Sequence, residues 1–300
     1  MSNYHYSIML NECLKALNIN ENGTYVDLTL GMAGHSSEIL KLIPKGFLIG
    51  FDKDEFAIEE SRKRLSQIGN NFKLIKSDFK NIELELDKLK VNAVDGIIAD
   101  LGISSPQVDN TDRGFSYAKD ARLDMRMDQN QKLDAHYIVN NYSEEQLTKI
   151  FINNADVKLA NRVAKAIIEN RPINTTIELA NVVREAYPAK LVKLKNPNKA
   201  IFQAIRIEVN NEFESISMML ESAIQKLKKN GSLAVITFHS LEDRIVKNYF
   251  GSLTKNKTTS KLPINEIKKY SVKVINPTNE EINENNRSRS AKLRVLTRLI

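Results

Sequence analysis

A chain of 300 residues with 42% hydrophobic residues is long enough for one large domain or two moderate ones around a buried core. Its single cysteine, Cys13, leaves neither a disulfide framework nor a cysteine-ligated zinc site, and four scattered histidines without an HExxH pattern argue against a metal centre. The net charge of +7 favours polyanionic partners, because Lys and Arg that meet phosphates release condensed counterions. No run of about eighteen apolar residues is present, so no membrane-spanning segment is expected. MSNYHYSIMLNECLKAL lacks the basic start, apolar block and cleavage site of a signal peptide, so a cytoplasmic protein is expected.

Strand and helix alternate over the first hundred residues. TYVDLTL (24–30) is a short apolar strand opening onto Gly31, and HSSEILKLI (35–43) a helix begun by small polar residues and closed near Pro44. FLIGFD (47–52) is a second strand ending in an acid, and EFAIEESRKRLSQI (55–68) has helical apolar spacing. FKLIKSDF (72–79) and DGIIADLGI (95–103) are a third and a fourth strand. This rhythm predicts a doubly wound parallel α/β sheet. The next convincing buried strand, SLAVITFH (232–239), comes far later, although a βαβ unit needs only about 30 residues. The stretch between is helical in pattern, in SEEQLTKIFINNA, KLANRVAKAIIEN and TTIELANVVREAY. One long helix over 199–229 is expected to return the chain to the sheet. The predicted organisation is therefore a sheet domain over 1–106 and 200–300, with an inserted helical substrate-recognition domain over 107–199. After the fifth strand, LEDRIVKNYFGSL starts a helix and 254–270 is a basic, mobile loop. SVKVI (271–275) and KLRVLTRLI (292–300) close the sheet as an antiparallel pair.

Chemistry is expected where the parallel strands end, the place at which ligands bind in such sheets. In DLTLGMAGHS (27–36) small residues let backbone approach a ligand, and helix-start N–H groups face it. Asp52 ends the next strand about twenty residues after Gly31, placed to accept from ribose hydroxyls. These features suit a nucleoside-containing cofactor. The register G-M-A-G-H misses the dinucleotide pattern, and S-adenosylmethionine, which has no pyrophosphate, needs only a looser glycine turn. In SDF (77–79), Phe79 is placed to lie against an adenine ring or to anchor a loop.

Asp100 is an acid inside an apolar run, and Ser104-Ser105-Pro106, which follows it, resembles the small-polar-Pro loop of enzymes that methylate exocyclic amines, with an ordinary turn after a strand the alternative. An exocyclic amine shares its lone pair with its ring and is a poor nucleophile. Acceptors aimed at its N–H groups hold it and favour charge on nitrogen as it attacks, and proline keeps such a loop rigid. Because a sulfonium is already a good leaving group, positioning supplies most of the acceleration. His239, at the end of the fifth strand, either touches substrate or bonds structurally. No G-x-S-x-G elbow supports a hydrolase. Basic stretches at 113–128, 190–199 and 287–294 suit phosphate and base contacts, with solvated surface the alternative for any single lysine. DMRMD is expected to set Met125 and Met127 on one side of an extended chain, with Arg126 opposite.

HYSIMLNECL, DLTLGMAGHS, GFDKD, DGIIADLGISSPQVDNTDRGFSYAKDARLDMRMD, NPNKAIFQAIRIEVNNE, TFHSLEDRIVK and NRSRSAKLRV closely resemble successive blocks of the RsmH (MraW) family, from His5 nearly to the C-terminus. The resemblance implies a class I S-adenosylmethionine-dependent methyltransferase, a Rossmann-like sheet with an inserted helical domain. It would methylate N4 of a cytosine at the decoding site of small-subunit 16S ribosomal RNA. Carried over by position, the cofactor contacts fall on Ala33, Gly34, His35, Asp52, Phe79, Asp100 and Gln107. Asp100, Ser104 and Ser105 are the candidates for holding the amine, and no metal is implied. The partner would be 16S ribosomal RNA or the small ribosomal subunit, with no membrane, and a homodimer is left open. Ala33 stands where the family has glycine, which matters if that residue needs positive φ. Leu28 and Leu30 also depart from the family pattern, and the insert is trimmed between Asn170 and Thr175. The rival readings are an amino-methyltransferase acting on DNA, an NAD-dependent oxidoreductase on the same sheet, and a non-catalytic RNA-binding protein.

Overall fold

The computed structural model describes residues 7–254 and 268–300. Helix α1 (Leu10–Leu17) precedes β1 (Thr24–Asp27), α2 (Gly34–Leu42), β2 (Phe47–Asp52), α3 (Glu55–Leu65), β3 (Phe72–Lys76), α4 (Ile82–Lys88) and β4 (Val94–Asp100). Then come α5 (Ser105–Asp109), α6 (Ala135–Asn141), α7 (Glu144–Ala155), α8 (Ala160–Glu169), α9 (Thr176–Ala186), α10 (Ala189–Leu194) and α11 (Asn198–Asn210). The chain closes with α12 (Glu212–Gln225), β5 (Leu227–Thr237), α13 (Ser240–Thr254), β6 (Tyr270–Ile275), α14 (Asn279–Glu284) and β7 (Lys292–Arg298). All five strands expected in the parallel part form, and so does the antiparallel pair β6–β7. Of the basic stretch 254–270, Thr254 ends α13 and Tyr270 begins β6; the expected loop at 255–267 lies outside the described residues.

The chain divides into two compact units, Met1–Gly102 with Phe213–Ile300, and Ile103–Glu212. These boundaries differ from the expected 106/107 and 199/200. The shift at the second boundary has a local cause. The expected helix over 199–229 is two helices, broken at Asn211, which is left-handed (φ 49°) and donates its N–H to Glu208 O and Ile207 O. Asparagine tolerates this conformation as a helix stop. α11 therefore belongs to the helical unit, and nearly all of α12 to the sheet unit.

In the first unit the seven strands lie in the order β3-β2-β1-β4-β5-β7-β6. β1 to β5 run parallel, and β7 lies antiparallel to both β5 and β6. The order reverses between β1 and β4, which is where such a sheet opens a crevice at its carboxyl edge. Both faces are covered, so the central strands read as unbroken apolar runs. Val26, Ile97, Ala99, Leu233 and Val235 pack with α4, α12 and α13 through Leu86, Leu220 and Phe250. Tyr25, Ile98, Ala234 and Ile236, the alternate residues, pack with α1, α2 and α3 through Leu17, Ile39 and Leu65. Cys13 sits in this second layer, and burial pushes its thiol well above the usual range, so it is inert. This sheet order with an inserted helical unit is the class I methyltransferase fold.

The second unit has its own core, in which Leu147, Phe151, Val163, Ile167, Leu179, Val183, Ile201 and Ile205 meet. Its helices start where polar caps dictate. Ser143 accepts from Gln146 N while Gln146 Oε1 accepts from Ser143 N (2.8 Å), and Thr175 and Glu178 repeat the reciprocal arrangement on α9. Met125 and Met127 are both buried, but DMRMD is not the extended chain expected, because Met125 is left-handed (φ 60°). Asn210 holds that turn, its Oδ1 accepting from Met127 N (2.8 Å) and its Nδ2 donating to Met125 O (2.8 Å). Arg113 holds it too, donating to the carbonyls of Arg126 (2.9 Å) and Met127 (3.0 Å). The buried Arg113 is thus an internal brace rather than a phosphate contact.

Candidate active site

Three carboxylates gather at the carboxyl edge of the first unit. Asp27, the last residue of β1, is buried, and it accepts from Thr29 N (3.1 Å) and Ser36 Oγ (2.7 Å). Asp52, the last residue of β2, accepts from Gly31 N (2.8 Å) and Asp54 N (2.9 Å). Asp100, the last residue of β4, has its N–H bonded to Thr29 Oγ1 (2.6 Å). As a residue Asp100 is only half-buried, but its Oδ1 is sealed from solvent with no hydrogen-bond partner.

Burial dominates the electrostatics. It raises Asp100 to about 8, helped by the charges of Asp27 and Glu242, and it raises Asp52 to about 6 against the pull of its two N–H donors. Asp27 is raised by burial too, while burial lowers the imidazole of its neighbour His35. A sealed, partnerless carboxyl oxygen at a switch point costs stability unless something bonds it, so it points to a ligand.

The glycine turn between β1 and α2 is built to approach a ligand closely. Gly31 (φ 50°) and Ala33 (φ 56°) are both left-handed. A side chain at Gly34 would collide with Ser7, its Cβ only 1.9 Å from Ser7 Oγ. Ala33 adopts the conformation that favours glycine, at a cost of about 1–2 kcal/mol. Its methyl, however, is fully buried among the apolar residues beneath the turn. The side chain of His35 is buried, with Nε2 3.0 Å from Ile8 O, so what it offers a ligand is its backbone N–H in the first turn of α2. Phe79 begins a short 3-10 turn after β3, capped by Asp78, and is half-buried against the sheet core.

The structure thus brings Ala33, Gly34, His35, Asp52, Phe79 and Asp100 to one edge of one unit. Ser104, Ser105 and Gln107 belong to the other. There Ser104 is the N-cap of α5, and Gln107 turns back so that its Oε1 accepts from Ser104 N (3.1 Å). Sequence reasoning missed Asp27 and Thr29 as members of the site. The signal was available, because Asp27 is an acid closing an apolar strand, the same feature that singled out Asp100. His239 lies beside the buried Glu242, whose Oε1 accepts from Phe238 N and from His239 N (2.9 Å). Its Nε2 sits 3.0 Å from Glu242 Oε2 but off the hydrogen-bond direction, so that nitrogen is buried without a well-aimed partner.

The model of the MraW methylase family matches residues 2–299. The chain belongs to the MraW methylase family. Ribosomal RNA small subunit methyltransferase H of Mycoplasmopsis agalactiae is 68% identical over 300 residues, covering all of both chains. Its namesake in Mycoplasmopsis synoviae is 58% identical over 299 residues, covering 100% of this chain and 99% of that protein. The one in Clostridioides difficile is 48% identical over 311 aligned positions, again covering all of both. Members of the MraW methylase family use S-adenosylmethionine, and the edge described here fits that group. It presents a partnerless buried acceptor on Asp100, a carboxylate on Asp52 with lone pairs left for hydroxyls, and a left-handed turn that leads into the first turn of α2, where helix-start N–H groups lie.

Proposed function

We infer that this protein is an S-adenosylmethionine-dependent methyltransferase acting on N4 of a cytosine in small-subunit (16S) ribosomal RNA. Membership of the MraW methylase family carries the reaction class, and relatives matching end to end carry the substrate. The observation in this chain that supports it best is the sealed Oδ1 of Asp100 at the switch point. When bound, S-adenosylmethionine supplies an electrophilic methyl on a sulfonium that needs no help to leave.

The chain's own residues have the harder task of making an exocyclic amine attack. Asp100, in its ionised form, accepts one of its N–H groups, holds the lone pair in line and takes the proton that nitrogen sheds as the N–C bond forms and the S–C bond breaks. Ser104 and Ser105, four and five residues further along the chain, add hydroxyl acceptors, and Pro106 fixes their backbone. Asp52 would hold the ribose, Phe79 would lie against the adenine, and the backbone N–H groups of Gly34 and His35 would take the remaining polar groups, with Ala33 shaping the turn before them, since its own N–H is given to Leu30 O (2.7 Å). Gln107 closes the turn that carries the two serines. The helical unit, in this reading, recognises the RNA. Among the described residues no helix is long and apolar enough to cross a membrane. A cytoplasmic location suits a ribosomal substrate.

The test is methyl transfer to small ribosomal subunits lacking the modification, with isotope-labelled cofactor, digestion to nucleosides and mass spectrometry. Label on N4 of one cytosine is expected. Label on another base would discard the target, and none at all would discard the reaction.

A further inference from the structure

Beside the proposed active site, at the carboxyl end of β5, opens a cleft of about 390 Å³. Three segments wall it: the strand end at Thr237–His239, the first turns of α13, and the chain around Ser290 and Lys292. Its polar lining is made mostly of donors, with Arg244, Lys247 and Lys292 supplying charge and Ser240, Asn248 and Ser290 supplying neutral hydrogen bonds. The one acid, Asp243, is already committed. Its Oδ1 accepts from Arg294 Nε (2.7 Å) and its Oδ2 from an Arg294 terminal nitrogen (3.0 Å), with Lys292 Nζ at 3.3 Å. These cations hold its carboxyl below the usual range against the opposing effect of burial. Arg294, itself buried, therefore cancels Asp243 from behind, and Lys247 and Lys292 by themselves leave the cleft with a surplus of positive charge.

We propose that this cleft binds a phosphodiester of the substrate RNA strand, next to the nucleotide presented to Asp100. The inference rests on the methyltransferase reading above and goes beyond it in naming where the strand's backbone is gripped. Position supports it. Asp100 is paired with Ile236 in the β4–β5 register, so the cleft begins one residue past that pair, on the same edge of the sheet. The fifteen-residue α13 starts at the cleft, and its aligned peptide dipoles favour an anion there. The chemistry also decides between anions. S-adenosylmethionine carries no phosphate, so the phosphate for which this donor set is suited comes from the polynucleotide. Cations with neutral donors are how proteins fix a nucleic-acid backbone in register without reading its bases.

The experiment measures steady-state methyl transfer to unmodified small ribosomal subunits over a range of salt. It compares wild type, Arg244→Gln/Lys247→Gln, and a charge-matched control, Lys41→Gln/Lys45→Gln, on exposed lysines elsewhere in the unit. The cleft variant should raise KM for subunits about tenfold. It should also flatten the dependence of log KM on log salt by about two. Cofactor Kd and melting temperature should stay at wild-type values, and the control should match wild type throughout. Should the double variant melt early, Lys247→Gln alone, at an exposed position, carries the test with a salt slope lowered by about one. An unchanged KM and salt slope, a loss confined to kcat, or an equal effect in the control would each overturn the phosphate site while wild-type turnover leaves the methyltransferase reading standing. Absence of wild-type turnover would overturn both.

Discussion

In the helical unit Asp124 meets Arg126 at 2.9 Å and 2.7 Å, and Arg206 makes two parallel bonds to the buried Glu212 at 2.8 Å and 2.9 Å. Asn154 and Asn210 are likewise bonded to carbonyls around them, although Asn198 keeps a buried Oδ1 without a partner. At the carboxyl edge of the sheet the pattern reverses. Asp27, Asp52 and Asp100 are partly or wholly buried with no cation among the bonds they make, and burial raises all three. The Asp124 carboxyl, by contrast, is held below its usual range, with Arg126 and Arg122 outweighing burial. Charge that is paired builds a scaffold. Charge left unpaired at a strand end is tolerated because a ligand completes it.

The sharpest way to break this comparison is to remove the unpaired acid. Asp100→Ala should cut methyl transfer about a thousandfold, the scale of losing one aimed polar group, while circular dichroism stays native. Unchanged turnover would remove Asp100 from the mechanism. Its counterpart in the helical unit is Arg206→Met, which leaves the carboxylate of Glu212 buried and alone. That variant should lose about 3 kcal/mol of stability in urea unfolding and keep its kcat at temperatures well below its melting point. A large kcat loss in the folded protein would mean that this pair is not merely scaffold.

A pH series sharpens the same contrast. Asp100 at about 8 binds a proton that the unfolded chain releases near pH 4, so the native state holds more protons between those limits. Its stabilising contribution is complete below about pH 4 and lost as pH rises through about 8. Cofactor-free wild type should therefore lose a few kcal/mol, roughly 2 or more, between pH 5 and pH 8.5 relative to Asp100→Asn. Equal slopes in the two proteins would contradict the burial of this carboxyl. Asp124 and Asp243, both lowered, act oppositely and at lower pH, and the wild-type–variant difference removes them. The smallest effect belongs to Ala33→Gly. Relief of the left-handed strain and loss of one buried methyl, each about 1 kcal/mol, nearly cancel, and cofactor Kd by calorimetry should change less than about threefold. Tightening beyond tenfold would show that the methyl faces the ligand rather than the core.

The strands were legible because a sheet covered on both faces writes itself as short apolar runs bounded by turns, and β2 appears in the sequence at its true limits. The capped helices α7 and α9 were legible for a similar reason, since Ser143 and Thr175 carry the stop of the preceding loop in their own side chains. The break at Asn211 was not. The apolar spacing runs on through NNEFES, and only the asparagine pair hinted that a backbone turn would split the helix between two units. Asp27 and Thr29 escaped because their role is relational. Thr29 matters through its bond to the backbone of Asp100, seventy-one residues away.

By itself the sequence determined the parallel sheet, the helical insertion, the family and the acids at the strand ends, because these are written in local periodicity and in residue types at fixed spacing. Only the tertiary structure decided which buried charges have partners. It turned Arg113 from a candidate phosphate contact into a brace, aimed the methyl of Ala33 into the core, and sealed one oxygen of Asp100. Burial and pairing depend on neighbours brought together from distant parts of the chain, and no local pattern encodes them.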